Sequence, residues 1–240
     1  MEIKFAIVIP TYKRSDGKSP FYLERALKSV FDQSYKNFHI FVIGDNYEDV
    51  NELEDILDKF DRNKIYTVNI PFAEEREKYT NNLEALWHYG GVFASNLGIN
   101  TALISGYDYV CRLDHDDYYT ESHLEDFARV IKETNADWLC SKSTYLGAQV
   151  LPAYPTDEYY VKFRPQPCQL INSSTCINFR KIPIRYRNMF EETGMIGLPS
   201  DAQMWLDMRN YIDKNNLTSI MINRVTCGHD EEGSTKNQNN

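Results

Sequence analysis

Residues 107–117 read YDYVCRLDHDD. The apolar part, Tyr107–Leu113, predicts a β-strand, and the acidic residues Asp114, Asp116 and Asp117 follow it directly. Side chains two positions apart on an extended chain point to the same face, so we expect Asp114 and Asp116 to lie side by side at the strand's end. In open α/β sheets, ligands bind beyond the carboxyl ends of the strands. The stretch therefore predicts a ligand site at that edge of a sheet.

The chain before this stretch alternates strands with helices. Strands are predicted at Ile3–Ile9, Phe38–Ile43 and Lys64–Ile70, with amphipathic helices between them. The first helix is predicted to begin with Ser19 as its N-cap and Pro20 at its first position. This β-α-β-α-β succession predicts a parallel sheet with right-handed crossovers.

The remaining pattern predicts four further segments. They are a loop with a helix at Pro71–Gly91, a second helix at Val92–Ser105, a third helix at Thr120–Thr134 and a strand at Trp138–Tyr145. Ser122 and Glu125 are spaced as a capping box for the third of these helices. After Gly147 the pattern loosens, and Pro199–Asn215 is the last clear helix. We predict one α/β domain with a nucleotide-binding half (1–117), an acceptor-side half (118–227) and a polar tail (228–240).

The composition excludes several classes of protein. The 240 residues carry 26 Lys and Arg against 35 Asp and Glu, a net charge of −9, which disfavours nucleic acid and anionic lipid as partners. No apolar run reaches 18 residues, and the first residues lack a cleavage site, so we expect neither a membrane span nor a signal peptide. Five scattered cysteines without a CxxC pair favour a reduced, cytoplasmic chain, with any membrane contact made through a partner.

The acidic run has a chemical and a structural interpretation. Paired carboxylates suit a hard divalent cation, Mg²⁺ or Mn²⁺, which prefers oxygen ligands and often shares itself with substrate phosphates. Three Asp within four residues also occur in solvated turns. The position directly after an apolar strand favours the metal site. His115 lies between the two carboxylates and is expected to point away from them, so it is not predicted to be a ligand.

Five segments occur in an informative order: AIVIPTYKR (6–14), VIGDN (42–46), ASNLGINTAL (94–103), YVCRLDHDD (109–117) and SDAQMWLDM (200–208). This series resembles the ordered motifs of family 2 glycosyltransferases with the GT-A fold. The resemblance implies an inverting transfer of a sugar from a nucleotide diphosphate to a hydroxyl of a glycan or a lipid-linked acceptor, usually with Mn²⁺ or Mg²⁺. It favours a UDP-sugar donor and leaves dTDP and GDP open.

The resemblance also implies a set of donor-binding residues, namely Pro10, Thr11, Tyr12, Asp45, Asn96 and Asp114. Tyr12 would stack on the base and Asp45 would hydrogen-bond the base or the ribose, although a packed turn tyrosine and an Asx turn explain these residues equally well without the family. Family members usually carry Arg directly before the asparagine, where this chain has Ser95. The cation expected near the donor is therefore missing, or Lys13, Arg14 or Arg112 supplies it.

The same resemblance implies the metal ligands and the catalytic base. Asp116 would be the surest metal ligand, joined by Asp114 and by His229 near the end of the chain, where a solvated histidine is the alternative. Asp117 would support the site or cap the next helix. Asp201 stands where the family places its general base, although a helix cap is again the structural alternative. Trp205 falls at the expected distance from it, whereas Ser200 replaces the usual acidic residue.

Two other functions remain open at this point. Ser95 and Ser200 depart from the family pattern, which is what a nucleotide-sugar-binding protein without catalysis would show. A nucleotidyltransferase would also use metal-binding carboxylates on a related sheet, but it would need a Gly-rich basic loop after the first strand. The segment YKRSDGKSP (12–20) has one Gly and three cations, which matches that loop only in part.

Overall fold

The computed structural model describes residues 2–229 and is built on one mixed sheet of ten strands. The strands are β1 (Phe5–Thr11), β2 (Phe38–Asp45), β3 (Ile65–Ile70), β4 (Tyr109–Arg112), β5 (Asp117–Tyr119), β6 (Trp138–Tyr145), β7 (Gln149–Leu151), β8 (Tyr160–Lys162), β9 (Thr175–Asn178) and β10 (Ser219–His229). The α-helices are α1 (Ser19–Phe31), α2 (Val50–Leu57), α3 (Glu74–Lys78), α4 (Leu83–Tyr89), α5 (Val92–Ile104), α6 (His123–Thr134), α7 (Met189–Thr193) and α8 (Ser200–Asn215).

The first half of the chain forms the parallel part of the sheet. Strand β1 pairs in parallel with β2 and β4, and β2 pairs in parallel with β3, so the order is β3-β2-β1-β4. Every residue of β1 is buried, because helices cover both faces. Phe5, Ile7 and Ile9 join the core that includes α1, α2 and α6, whereas Ala6 and Val8 face the core that includes α4, α5 and α8. The predicted parallel sheet is confirmed.

The second half extends this sheet with mostly antiparallel strands. Strand β9 joins β4 to β6, and β10 lies between β6 and β5, giving the order β4-β9-β6-β10-β5. Register shifts interrupt β10 between Ile222 and Val225 and again before Cys227, and such irregularities bend a strand. The bent end brings His229 opposite Asp117. Gly228 and His229 are therefore strand residues, and the rest of the predicted polar tail, 230–240, lies outside the described residues.

Two local predictions about helix starts are wrong. Ser19 lies inside α1, whose N-cap is Lys18, because its hydroxyl serves the preceding loop: it accepts from the Arg14 amide at 2.7 Å and donates to the Tyr12 carbonyl at 2.9 Å. Ser122 does take the N-cap position of α6, but the capping box does not form: its hydroxyl makes no bond to the helix backbone and instead donates to the Asp126 carboxylate at 3.1 Å. Within residues 2–229, no helix has both the length and the apolar character needed to cross a membrane.

Gly98 fixes how closely α5 packs on the sheet. A Cβ atom at this position would lie 2.4 Å from Val8 Cγ1 and 3.0 Å from Ile43 Cγ1. We expect Gly98→Ala to lower the free energy of unfolding by about 1–3 kcal/mol, because β1 and β2 must move to admit the methyl group. Urea denaturation measures this loss. Gly106→Ala is unsuited as a control because Gly106 has a positive φ, which would strain an alanine. Thr101→Ala, on the same helix, is the control, and an equal loss in both variants would contradict the packing argument.

Candidate active site

The parallel strands place several of the polar residues predicted to form the site at one edge of the sheet. Strands β1 and β2 pair in register through Pro10 with Ile43 and Thr11 with Gly44, so Tyr12 and Asp45 follow at neighbouring strand ends. Strand β4 lies on the other side of β1 and leads into Asp114. Thr11 is 1% exposed, and its hydroxyl has no hydrogen-bond partner within residues 2–229. This edge is where ligands of open α/β sheets bind.

The acidic run forms a turn rather than the end of a strand. Strand β4 stops at Arg112, and the Asp117 amide donates to the Asp114 carbonyl at 3.0 Å. The prediction that Asp114 and Asp116 share one face of an extended chain is therefore wrong. The turn nevertheless keeps the carboxylates close enough for Asp114 and Asp116 to raise the pKa of Asp117 electrostatically.

Arginines from two parts of the chain pair with this turn. Arg112 binds Asp114 Oδ1 at 2.6 Å, and Arg14 binds Asp116 Oδ2 at 3.2 Å. The Arg14 side chain is 1% exposed and also binds Asp16 at 2.8 Å, while Arg25 donates to the Asp116 carbonyl. Burial raises the pKa of Asp116, and His229 and Arg14 oppose that rise. Two of the three expected cations, Arg14 and Arg112, thus lie at the turn.

Asp117 and His229 form a buried pair behind the turn. Asp117 Oδ1 lies 2.7 Å from His229 Nδ1, and its other oxygen accepts from the Ser173 hydroxyl. Burial raises the pKa of Asp117 to about 6. Burial lowers the pKa of His229, but the bond to Asp117 and the nearby carboxylates outweigh this effect and raise the pKa of His229 to about 9. The imidazole stacks on Tyr145, with the ring centroids 5.1 Å apart. Asp117 is therefore the partner of His229 and not a helix cap, since α6 begins only at His123.

A cationic and aromatic cluster lies at the ends of β1 and β2. The Arg76 guanidinium carbon is 3.3 Å from the centroid of the Tyr12 ring, and Arg76 Nε donates to Asp45 Oδ2 at 2.9 Å. Asp45 is 2% exposed, its Oδ1 has no partner within residues 2–229, and burial raises its pKa against the opposing charge of Arg76. The third expected cation, Lys13, instead pairs with the surface residues Asp49 and Glu52.

Arg76 is the residue that the sequence did not reveal. It lies on α3, in the stretch predicted only as a loop and a helix, and no periodicity or motif separates it from the other charged residues there. His115 packs against the other end of the cluster, with its ring centroid 5.2 Å from that of Tyr12. Burial and the charges of Arg14 and Arg76 lower its pKa to about 3, so the ring is neutral at physiological pH.

Asn96 acts on the site through Tyr186. Its amide donates to the Tyr186 carbonyl at 2.9 Å and accepts from the Tyr186 amide at 3.1 Å. The Tyr186 ring lies under the Arg112 guanidinium, 4.9 Å from ring centroid to carbon, and its hydroxyl donates to Asn172 at 3.1 Å. Ser95, at the position of the family's usual Arg, is buried and donates to the Gly91 carbonyl at 2.6 Å. A direct donor contact for Asn96 stays a prediction.

Asp201 lies in the first turn of α8, and Pro199 takes the N-cap position. Its Oδ1 accepts from the Ala202 amide at 2.7 Å. Burial raises its pKa, the bond from the Ala202 amide opposes that rise, the Asp114 charge adds to it and Arg112 opposes it, so Asp201 lies within electrostatic range of the acidic turn. Trp205 belongs to the core: it is 1% exposed and packs edge-on against Trp138 at 6.1 Å.

The metal prediction rests on few protein ligands. Within residues 2–229, no three side chains of His, Cys, Asp or Glu are placed to hold a metal ion together. Mg²⁺ is often held by one or two carboxylates plus substrate phosphates, so Asp114 and Asp116 provide a suitable donor set once a diphosphate is present. His229 Nδ1 is engaged by Asp117, and its role as a ligand stays a prediction.

Glu75 is a buried carboxyl next to this site, and we predict that it makes stability depend on pH. It is 4% exposed, Oε1 accepts from the Phe93 amide at 2.9 Å, and Oε2 has no partner in the described part of the chain. Burial raises its pKa from 4.5 to about 7. Between these pH values the unfolded chain releases the proton and the folded chain keeps it, so the free energy of unfolding falls by about 3 kcal/mol as pH rises.

Glu75→Gln tests this dependence by removing the titration. We expect the variant to equal the parent at pH 5 and to exceed its free energy of unfolding by about 3 kcal/mol at pH 8. Urea denaturation at both pH values measures the difference. Glu74→Gln, at the exposed neighbouring position, should show no such pH-dependent gain. A gain of equal size at pH 5 and pH 8 would contradict the argument.

Comparison with known sequences places the chain among glycosyltransferases. The family model "Glycosyl transferase family 2" matches residues 6–85. Glycosyltransferase R139 of Acanthamoeba polyphaga mimivirus, itself uncharacterized, is 38% identical over 244 residues, which cover 98% of this chain and 97% of that protein. AmsB of Erwinia amylovora, an amylovoran biosynthesis glycosyltransferase, is 28% identical over 131 residues, 55% of this chain and 36% of AmsB. The succinoglycan biosynthesis protein ExoW of Rhizobium meliloti is 32% identical over 136 residues, 56% of this chain and 36% of ExoW.

Solved structures agree on the fold. S. aureus TarS residues 1–349 in complex with UDP-GlcNAc superimposes with a TM-score of 0.71 at 15% identity, over 99% of this chain and 61% of that one. The UDP complex of the same protein gives a TM-score of 0.67 at 15% identity, covering 94% and 60%. The chain thus spans just over a third of the two bacterial relatives and about three fifths of the TarS fragment, but nearly all of the mimivirus protein. It belongs to glycosyl transferase family 2 and is a glycosyltransferase with the GT-A fold.

Proposed function

We propose that this enzyme transfers a sugar from a UDP-sugar to an acceptor hydroxyl with inversion at the anomeric carbon. One observation carries the proposal: the cluster of Tyr12, Arg76 and Asp45 and the acidic turn follow neighbouring strand ends, and the Asp201 carboxylate lies within electrostatic range of the turn. A nucleotide, a diphosphate and a general base need this order of groups, since the transferred sugar lies between the diphosphate and the base.

The nucleobase occupies the cluster of Tyr12, Arg76 and Asp45. The aromatic ring and the guanidinium offer flat surfaces for stacking, and the unpartnered Asp45 Oδ1 is a buried acceptor for a base N–H group. Uracil carries such a group between two carbonyl oxygens. The complexes of TarS with UDP and UDP-GlcNAc support UDP as the nucleotide, and we extend that choice to this chain.

The diphosphate would lie at the acidic turn, where Asp116 and Asp114 would hold a divalent cation. When bound, Mg²⁺ or Mn²⁺ supplies Lewis-acid stabilisation of the charge that develops on the leaving diphosphate. Three cations of the chain support this arrangement. Arg14 and Arg112 hold the two carboxylates in place. His229, protonated at neutral pH, adds a positive charge behind the turn. Asp114 also lies within reach of the ribose in this arrangement.

Asp201 takes the proton from the acceptor hydroxyl. The start of α8 stabilises its carboxylate through the Ala202 amide and the helix dipole, while partial burial raises its pKa and so its basicity. The positive charge of Arg112 limits that rise in pKa. As the hydroxyl oxygen bonds to the anomeric carbon, the bond to the diphosphate oxygen breaks with its electron pair, and UDP leaves.

The acceptor is a glycan or a lipid-linked saccharide. AmsB and ExoW are named for the biosynthesis of two polysaccharides, amylovoran and succinoglycan, which supports this class of acceptor. The acceptor-side half of this chain, with α7 and α8, borders Asp201 and provides the surface that it would occupy.

Thermal stabilisation by UDP, GDP, dTDP and CDP, each with and without Mn²⁺, tests the donor site. A ligand that binds only the folded chain raises its melting temperature in proportion to binding strength. We expect the largest rise with UDP plus Mn²⁺, and Arg76→Gln should reduce it. No rise with any of these nucleotides would contradict the proposal. The corresponding triphosphates are tested in parallel, and a rise with a triphosphate alone would favour a nucleotidyltransferase. Binding of a UDP-sugar without its transfer or hydrolysis would favour the non-catalytic alternative.

A further inference from the structure

An open groove of about 520 Å³ runs along the outer side of α8. One wall is the segment 183–187, which contributes Arg185 and Arg187, and the other is the second half of α8, which contributes Asp207, Tyr211 and Lys214. Tyr186, between the two arginines, is buried on the opposite side of the segment against Arg112. The groove is therefore separate from the donor site but shares a wall with it.

The groove concentrates positive charge in a chain whose net charge is −9. Arg185 donates to Asn100 Oδ1 and to the Ile184 carbonyl, both at 3.1 Å, and no carboxylate of the described chain lies within ion-pair distance of it. Burial lowers the pKa of Arg185, which shows that its charge is partly desolvated without a counter-ion. Lys214 likewise has no ion pair with residues 2–229.

Among residues 2–229, Asp207 is the only acid that lines the groove, and it is already engaged. Asp207 binds Arg187 at 3.3 Å and accepts from Gln203 at 2.8 Å, while Arg187 also forks onto Glu192. The two unpaired cations, on opposite walls, leave the groove with an excess of positive charge. Arg185 provides a guanidinium on one wall and Lys214 an ammonium on the other. These two groups together can bind phosphate or carboxylate oxygens.

The groove lies further along the helix that carries the proposed catalytic base. Asp201 is in the first turn of α8, so Asp207 lies roughly 9 Å and Lys214 roughly 20 Å further along the helix axis, about 120° or more around it from Asp201. An acceptor chain that presents its hydroxyl to Asp201 reaches the groove by passing around α8. We propose that this groove binds an anionic group of the acceptor, a phosphate or a carboxylate, remote from the reacting hydroxyl; this inference rests on the proposed function.

Arginine side-chain NMR tests the proposal on the full chain with UDP and Mg²⁺ present in excess, so that the donor site is filled. Inorganic phosphate and D-glucuronate are titrated separately at constant ionic strength, with D-glucose as the neutral comparison. We expect the Nε–H signal of Arg185 to shift saturably with at least one anion and not with glucose. The anion that saturates at lower concentration identifies the phosphate or the carboxylate as the recognised group. A linear shift, or none, with both anions overturns the proposal.

Substitutions separate this site from a general charge effect. Lys214→Gln, at an exposed helical position, should raise the apparent Kd of the anion by about threefold or more. Arg185→Gln removes the reporting signal itself, so this variant is followed through the Nε–H signal of Arg187, which also lines the groove and should no longer shift saturably. Lys132→Gln is the matched control, since it removes an exposed lysine from the last turn of α6. Equal weakening by Lys132→Gln and Lys214→Gln would overturn the proposal. Failure of the proposed function has a different signature, the absence of UDP binding in the same samples.

Discussion

Replacing Asp201 with Asn is expected to lower the rate of sugar transfer by about 100- to 10,000-fold, the usual range for loss of a general base. The affinity for UDP should stay within about threefold of the parent value, because the proposed mechanism gives Asp201 a role towards the acceptor and Asn keeps its shape. Initial rates with a UDP-sugar and an acceptor, together with calorimetric titration of UDP, measure the two quantities.

Asp213→Asn is the control for this experiment. Asp213 lies on the same helix, is 41% exposed and pairs with Arg164 on the surface, so its loss should leave both rate and affinity unchanged. A rate for Asp201→Asn above about a tenth of the parent's would contradict its role as the base. Weakened UDP binding combined with a normal rate at saturating donor would place Asp201 on the donor instead.

The pH dependence of the parent enzyme's activity is a second test of Asp201 as the general base. A base acts only when deprotonated, so activity falls as pH drops through its pKa. Because burial and Asp114 raise the pKa of Asp201, with Arg112 opposing, the acidic limb of kcat/KM should lie above the ordinary aspartate value of 3.8. Arg112→Met should move that limb further upward, since the opposing charge is lost.

The sequence predicted the parallel sheet because its strands are short apolar runs that end at turn residues. Burial on both faces leaves such runs without alternation, and β1 shows this pattern in the structure, with all seven residues buried. Helix starts were harder to predict. Ser19 and Ser122 have the residue type of an N-cap, but each hydroxyl bonds elsewhere, and tertiary partners are invisible to a local pattern.

The residues of the candidate site were predictable only where they belong to a recognisable sequence motif. Asp114, Asp116 and Asp201 come from segments with a recognisable order, whereas Arg76 reaches Tyr12 and Asp45 from a charged helix without any distinguishing pattern. The exact geometry of the acidic turn also escaped prediction, because the bond that closes it depends on where β4 ends. Long-range pairs such as His229 with Asp117, 112 positions apart, require the fold itself.

Replacing Asp116 with Asn should remove the metal-dependent part of UDP binding and slow transfer by about 100-fold or more, a loss of several kcal/mol in transition-state stabilisation. The carboxylate is the proposed metal ligand at the centre of the turn, and a neutral amide holds a divalent cation much more weakly. The melting temperature with UDP should then be the same with and without Mn²⁺, whereas we expect Mn²⁺ to raise it in the parent chain.

A second variant separates metal binding from the ion pair that Asp116 makes. Arg14 bridges Asp116 and Asp16, so Asp116→Asn also deprives a guanidinium that is 1% exposed of one partner. Asp16→Asn breaks the other arm of this bridge without touching the turn, and it should keep both the Mn²⁺ effect and the transfer rate within about threefold of the parent. Equal losses in both variants would assign the effect to the position of Arg14 rather than to a metal. A large loss confined to Asp116→Asn would support its role as a metal ligand at the diphosphate, since Arg14 retains a partner in either variant.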